Sequence, residues 1–170
     1  TLNHSGDAHE WFVAARANVD APERAFYYLD DDGGYVSWLG VESLPKLNWA
    51  SDELRRRFID GPDSVVGRWL TEPYGLDGWR IDVANMTGRL DDHDLNAEVR
   101  QLTQATTRSV NPDALLLAES TNDAQSDMQG DGWHGAMTYA SFTRPVWAWL
   151  SEPGPISWFF GLPYPVMPQY

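Results

Sequence analysis

Two short apolar runs, each closed by a carboxylate, constrain this chain more than any other feature. Gly78-Trp79-Arg80-Ile81-Asp82-Val83 reads as one strand, buried on most sides, and Ala114-Leu115-Leu116-Leu117-Ala118, followed by Glu119, as another. Between them Leu95, Val99, Leu102 and Thr106 recur at helical spacing, and Asn111-Pro112 closes that helix. Strand, helix, strand in this order is the building unit of a parallel sheet. Strands this continuously apolar need helices over their outer face. A weaker strand at Ala136-Met137-Thr138-Tyr139 and a helix from Pro145 to Leu150 extend the alternation. The fold class is α/β.

Residues 1–62 have a different texture. Asp, Gly and Pro punctuate them, as in the turn Asp30-Asp31-Asp32-Gly33-Gly34. Tyr35 to Leu39 predicts a short strand. Ser51 is placed to cap a polar helix from Asp52 to Phe58, with Asp52 and Glu53 in the turn where the helix dipole favours negative charge. A further helix is expected to start at Asp63 or Ser64, with Val65, Val66, Trp69 and Leu70 on its apolar stripe, and to end at Pro73. The chain divides accordingly into a loop-rich segment, 1–62, and an α/β segment, 63–170. The stretch Gly161 to Pro168 is too rich in proline for regular structure.

Composition narrows the function. The 170 residues suffice for one ordinary domain with a real core. A net charge of −13 argues against a grip on nucleic acid phosphates and against a polybasic membrane anchor. No apolar run approaches the ~20 residues of a spanning helix. Without cysteine there is no disulfide framework, thiolate nucleophile or cysteine zinc site. Nine Trp, seven Tyr and six Phe supply flat aromatic surface, which suits a core or a site that stacks on sugar rings.

The strand ends carry the chemistry. In parallel α/β structures, sites are built at the carboxyl ends of the strands, where Asp82 and Glu119 stand. Paired carboxyl groups there are what glycoside hydrolysis requires, one to attack or steady the anomeric carbon and one to protonate the leaving oxygen. Arg80 lies two residues before Asp82, hence on the same face of the strand, and its charge favours the ionised carboxylate. Glu119, emerging from apolar neighbours, is the better candidate for the acid.

The residues around these positions resemble known motifs. Gly75 to Asn85 resembles the nucleophile motif of glycoside hydrolase family thirteen, the α-amylase family. Leu115-Leu116-Leu117-Ala118-Glu119-Ser120 resembles its acid/base motif, and Thr1-Leu2-Asn3-His4 the tail of the motif ending its third barrel strand. Leu44-Pro45-Lys46-Leu47-Asn48, which holds the sole lysine, resembles the marker of the neopullulanase, cyclomaltodextrinase and maltogenic amylase branch. The resemblance implies a partial (β/α)8 TIM barrel, from about the end of strand three to helix six, with a loop-rich insertion after strand three. It implies that Asp82 is the nucleophile, Glu119 the general acid and then base, and Arg80 the residue that orients and ionises Asp82. It also implies that His4 hydrogen-bonds the sugar and that Asn3 fixes the local loop. Trp79 and Trp38, with Trp11, are candidates for stacking on glucose rings.

The resemblance further implies a retaining α-glucan hydrolase acting on α-1,4 and also α-1,6 bonds in cyclodextrins, pullulan, starch or maltooligosaccharides. A glucan transferase or isomerase with the same residues, and a non-catalytic binding protein of the same fold, are the alternatives. The partner is an α-glucan, not nucleic acid or membrane; a homodimer of the full-length enzyme is left open. No metal or cofactor is required: Met86 stands where calcium-dependent α-amylases typically carry a histidine, and Asp30 to Asp32 lack a full calcium-loop pattern. A cytoplasmic rather than secreted location is expected. After Glu119 there is no His-Asp pair to supply the family's third carboxylate; His93-Asp94 stands before it instead. A complete barrel takes about 250 residues. The chain is therefore expected to be an internal piece of a larger enzyme, inactive and poorly folded when expressed alone.

Overall fold

The computed structural model describes residues 1–150, so the proline-rich stretch from Gly161 to Pro168 lies outside the described residues. At its centre is a three-stranded parallel sheet in the order β1 (Gly78–Ile81), β4 (Leu115–Ala118), β5 (Gly135–Ala136). After β1 the chain makes a two-stranded antiparallel turn, β2 (Arg89–Leu90) and β3 (His93–Asp94), and then helix α4 (Asn96–Val110) before returning as β4. The alternation expected from the sequence is present, with shorter strands. β1 stops at Ile81 because Val83 adopts a left-handed backbone, φ 50°. The last strand is Gly135–Ala136 rather than 136–139, since Tyr139–Thr143 winds into a π-helical turn leading to α5 (Arg144–Leu150).

Burial follows the pleat. Leu116 and Ala118 are fully buried, while Leu115 on the opposite face is 54% exposed. Ile81 is buried and Arg80 exposed, so β1 is covered on one face rather than on most sides. Helix α4 supplies cover, but its inward stripe is mostly polar: Asn96, Val99, Arg100, Thr103, Gln104 and Thr107 are all buried. These positions follow helical spacing, and their polar groups tie down the loop after β4. Arg100 pairs with Asp127 at 2.8 Å, and Gln104 donates to the carbonyls of Gly130 and Gly132 at 3.0 and 2.9 Å. Most of this stripe is paired, but Arg100 Nε and Thr107 Oγ1 are buried without a hydrogen-bond partner, a cost the helix carries.

The first sixty residues are loop-rich but well packed. An unexpected helix, α1 (Glu10–Ala17), buries Phe12 and Ala15. Ser51 caps α2 (Asp52–Phe58) as expected, its hydroxyl accepting from the Leu54 amide at 3.3 Å. Ser64 caps α3 (Val65–Arg68), a single turn that ends well before Pro73. The strand expected at Tyr35 to Leu39 does not form. Tyr35 and Ser37 make isolated bridges to Leu29 and Pro45, and Trp38–Gly40 turns as a 3-10 segment with Leu39 at φ 50°. The Lys46 amide bonds the Val36 carbonyl and the Trp38 amide the Leu44 carbonyl, both at 2.9 Å, and the pairing ends there because the chain turns at Trp38–Gly40. Further bridges join His4 to Lys46 and Tyr27 to Leu47, folding the Lys46 segment back onto the one that carries Asn3 and His4. Trp49, fully buried, donates its indole N–H to the Leu2 carbonyl at 2.6 Å. The core is continuous from Leu2 through Phe26, Trp49 and Leu54 to Leu116 and Trp133.

Candidate active site

Strand register brings the two carboxylates together. Ile81 pairs with Ala118 in the parallel ladder, so the next residues, Asp82 and Glu119, leave neighbouring strands at the same edge. Backbone bonds continue past the strands, from the Glu119 amide to the Ile81 carbonyl at 2.8 Å and from the Ala84 amide to the Glu119 carbonyl at 2.9 Å. Between them lies Val83, whose left-handed conformation is costly for a β-branched residue. Its amide donates to Glu119 Oε2 at 2.9 Å. The strained residue thus fixes one carboxyl group and aims it from the backbone of the strand that carries the other.

One guanidinium serves both. Arg80 Nη1 lies 2.5 Å from Asp82 Oδ1 and its Nη2 lies 2.9 Å from Glu119 Oε1. The sequence suggested only the first of these contacts. A cation shared by two carboxylates offsets the repulsion that would drive them apart. Partial burial resists ionisation of Asp82, but the hydrogen bond and charge of Arg80 outweigh it and hold the carboxyl below its ordinary range. Tyr139, which no sequence motif pointed to, offers its hydroxyl to Glu119 Oε1 at 3.4 Å. Burial and the adjacent Glu119 carboxylate push that phenol up, so it remains a donor.

His4 completes the group on the Asp82 side. Its Nε2 lies 3.7 Å from Asp82 Oδ2. Burial pushes the imidazole below its ordinary value against the opposing pull of Asp82. Asn3, fully buried, meets His4 Nδ1 through its amide nitrogen at 3.2 Å. Behind it stands Lys46, which the sequence flagged only as part of a marker. Its ammonium is 2.7 Å from Asn3 Oδ1 and 3.1 Å from the Met86 carbonyl. Trp38 stacks on His4 with centroids 5.7 Å apart and donates its indole N–H to Met86 Sδ at 3.3 Å.

The other candidate tryptophans are elsewhere. Trp79 faces away from Arg80, packs against the core and donates to the Val66 carbonyl at 3.1 Å, so it is not brought to the carboxylates. The period-two alternation that puts Arg80 and Asp82 on one face puts Trp79 on the other. Trp11 packs edge-on against Phe26 and Phe58. Asp30 is used within its own turn, accepting from the Gly34 amide at 2.6 Å. His93 and Asp94 lie exposed in β3, where Asp94 pairs with Arg89 at 3.0 Å. Among the described residues no cluster of three or more His, Cys, Asp or Glu could hold a metal ion, and no helix is long and apolar enough to cross a membrane.

Parallel strands that end in convergent carboxylates define a class, the α/β proteins with acid–base sites at the carboxyl edge of the sheet. Within it, the chain belongs to the α-amylase family: the profile of the alpha-amylase catalytic domain matches residues 28–140. It is 35% identical over 150 residues to neopullulanase 2 of Thermoactinomyces vulgaris, a match covering 81% of this chain and 23% of the relative. It is 27% identical over 156 residues to the intracellular maltogenic amylase of Bacillus subtilis, covering 89% of this chain and 24% of that protein. Among solved structures, Ttha1563 from Thermus thermophilus superposes with a TM-score of 0.69 at 25% identity, over 86% of this chain and 30% of that one. The fold is thus part of a (β/α)8 barrel. The chain spans about a quarter of the length of these two curated relatives.

Proposed function

We propose that the chain is the catalytic segment of a retaining α-glucan hydrolase, cleaving α-1,4 glucosidic bonds, with α-1,6 bonds left open, in cyclodextrins, pullulan, starch or maltooligosaccharides. The observation that carries this is the single guanidinium of Arg80 bound to Asp82 on one strand end and Glu119 on the next. Retaining glycosidases work with carboxyl groups only about 5–5.5 Å apart, and one guanidinium reaching both side chains fits so short a gap. In the first step the Asp82 carboxylate forms a bond to the anomeric carbon. The glycosidic C–O bond breaks, and Glu119 gives its proton to the departing oxygen. In the second step Glu119 takes a proton from water, the water oxygen bonds to the anomeric carbon, and Asp82 leaves as carboxylate. Arg80 remains with Asp82 and keeps the nucleophile ionised, while His4 donates to a hydroxyl of the sugar under attack.

The names of the relatives support the substrate class: neopullulanase and maltogenic amylase. The Bacillus relative's description as intracellular supports a cytoplasmic location. No step needs a metal, since both reacting groups are carboxyls and the ammonium of Lys46 already fills the gap between Asn3 Oδ1 and the Met86 carbonyl.

The test is to give the full-length protein cyclodextrins and pullulan and follow the anomeric protons of the first products by NMR. New reducing ends that appear first as the α-anomer are expected. First appearance as the β-anomer overturns retention. Longer oligosaccharides without net reducing ends replace hydrolysis by transfer, and binding without turnover leaves only the sugar-binding alternative.

A further inference from the structure

Lys46 is the sole lysine of the chain, and only 5% of its surface is exposed. Burying an ammonium is costly unless it meets acceptors. Here it meets two, Asn3 Oδ1 at 2.7 Å and the Met86 carbonyl at 3.1 Å. The backbone bridge between His4 and Lys46 keeps their two segments in register. Neither contact reaches Asp82 or Glu119, so the lysine has no direct part in the chemistry proposed above.

Its effect travels by hydrogen-bond logic. A lysine ammonium has donors and no acceptor. The Asn3 atom that faces it must therefore be the carbonyl oxygen, which turns the amide nitrogen toward His4 Nδ1, 3.2 Å away. An amide nitrogen only donates, so Nδ1 must accept. A neutral imidazole carries one ring proton, and with Nδ1 accepting, that proton sits on Nε2. Nε2 is the atom that faces Asp82 Oδ2 at 3.7 Å. Burial, which pushes His4 below its ordinary value, keeps the ring in the neutral form to which this choice applies.

We propose that Lys46 is a positioning residue: by orienting the Asn3 carboxamide it fixes the proton of His4 on Nε2, so that the ring presents a donor beside the nucleophile. The inference rests on the site proposed above, but its test reads a ring proton rather than turnover. A protein that proves inactive on α-glucans still returns an answer.

The experiment uses full-length protein with 15N-labelled histidine and long-range 1H–15N correlations at neutral pH. The His4 signals are assigned by their loss in His4→Gln. In the wild type the Nε2–H tautomer should dominate by at least about ten to one, as the free energy of one hydrogen bond supports. Lys46→Met frees the carboxamide to flip, and the dominance should fall to a mixture. Asn3→Asp keeps a partner for the lysine but offers His4 only acceptors, so the proton should move to Nδ1. This second variant tests the relay even if Lys46→Met does not fold. A wild-type ring protonated on Nδ1 or on both nitrogens overturns the proposal. So does an Nε2–H ring that persists in Asn3→Asp, or in a folded Lys46→Met.

Discussion

At the scale of single residues, the cluster is governed by which groups share which charge. Asp82 is held below its ordinary range despite partial burial, because Arg80 bonds to it at 2.5 Å. Asp82→Asn keeps the shape and removes the nucleophile. Turnover by the full-length enzyme should fall by at least ~1,000-fold, about 4 kcal/mol of barrier, while affinity for maltooligosaccharides measured by calorimetry changes little. The depressed carboxylate also sets a direction for stability. Its contribution is present above the unfolded aspartate value of about 3.9 and disappears as pH falls through the lower folded value. Lys46, whose value is also lowered, gives the same sign at higher pH. Burial lowers it to about 8, so above that pH the folded chain releases a proton that the unfolded chain still holds. The stability of the wild type relative to Lys46→Met, followed by urea titration, should therefore rise between pH 8 and 10. A fall over that range would contradict the burial of a charged lysine.

At the scale of elements, the pairing of β1 with β4 positions everything else. Gly78 begins β1 at φ 152°, and a Cβ there would sit 2.1 Å from the Leu115 carbonyl oxygen. That oxygen is backbone and cannot swing away, so Gly78→Ala should force the strands apart. We expect a loss of roughly 3 kcal/mol or more, at the strained-backbone end of single substitutions, together with most of the activity, both readable by thermal melting and assay of the same sample. Elements whose signals are local were legible in the sequence. The Ser51 cap and the helix after it, the apolar run of β4 and the αβ alternation all follow from neighbouring residues. Helix α1 escaped because its cap is His9, whose ring accepts from the Trp11 amide in place of a hydroxyl or carboxylate. The Tyr35 to Leu39 strand was over-read because alternation alone does not show that the chain turns at Trp38–Gly40, where Leu39 takes a left-handed conformation. In the site, Asp82, Arg80 and Glu119 announce themselves at strand ends. The Lys46 ammonium contacts only Asn3 and a distant carbonyl, at sequence separations of 43 and 40, contacts that exist once the intervening chain has folded.

At the scale of the whole molecule, the first sixty residues and the sheet share one continuous core. The sheet brings the carboxylates and the loop-rich segment brings Lys46 and Trp38, with Trp49 locking the Leu2 carbonyl beside them. Because Lys46 already holds Asn3 and the Met86 carbonyl together, exhaustive chelation should leave the full-length enzyme's turnover unchanged, and a loss restored by calcium would contradict that. The central claim, that Asp82 attacks while Glu119 moves the proton, is tested most directly by trapping. A glycosyl fluoride needs no acid to depart, whereas breakdown of the intermediate needs a base to activate water. The Glu119→Gln variant should therefore accumulate the glycosyl-enzyme when given an α-maltosyl fluoride carrying a second fluorine at C5. Peptide mass spectrometry should then find the maltosyl adduct on Asp82. An adduct on any other residue, or fluoride release with no adduct and inverted product, would contradict the account.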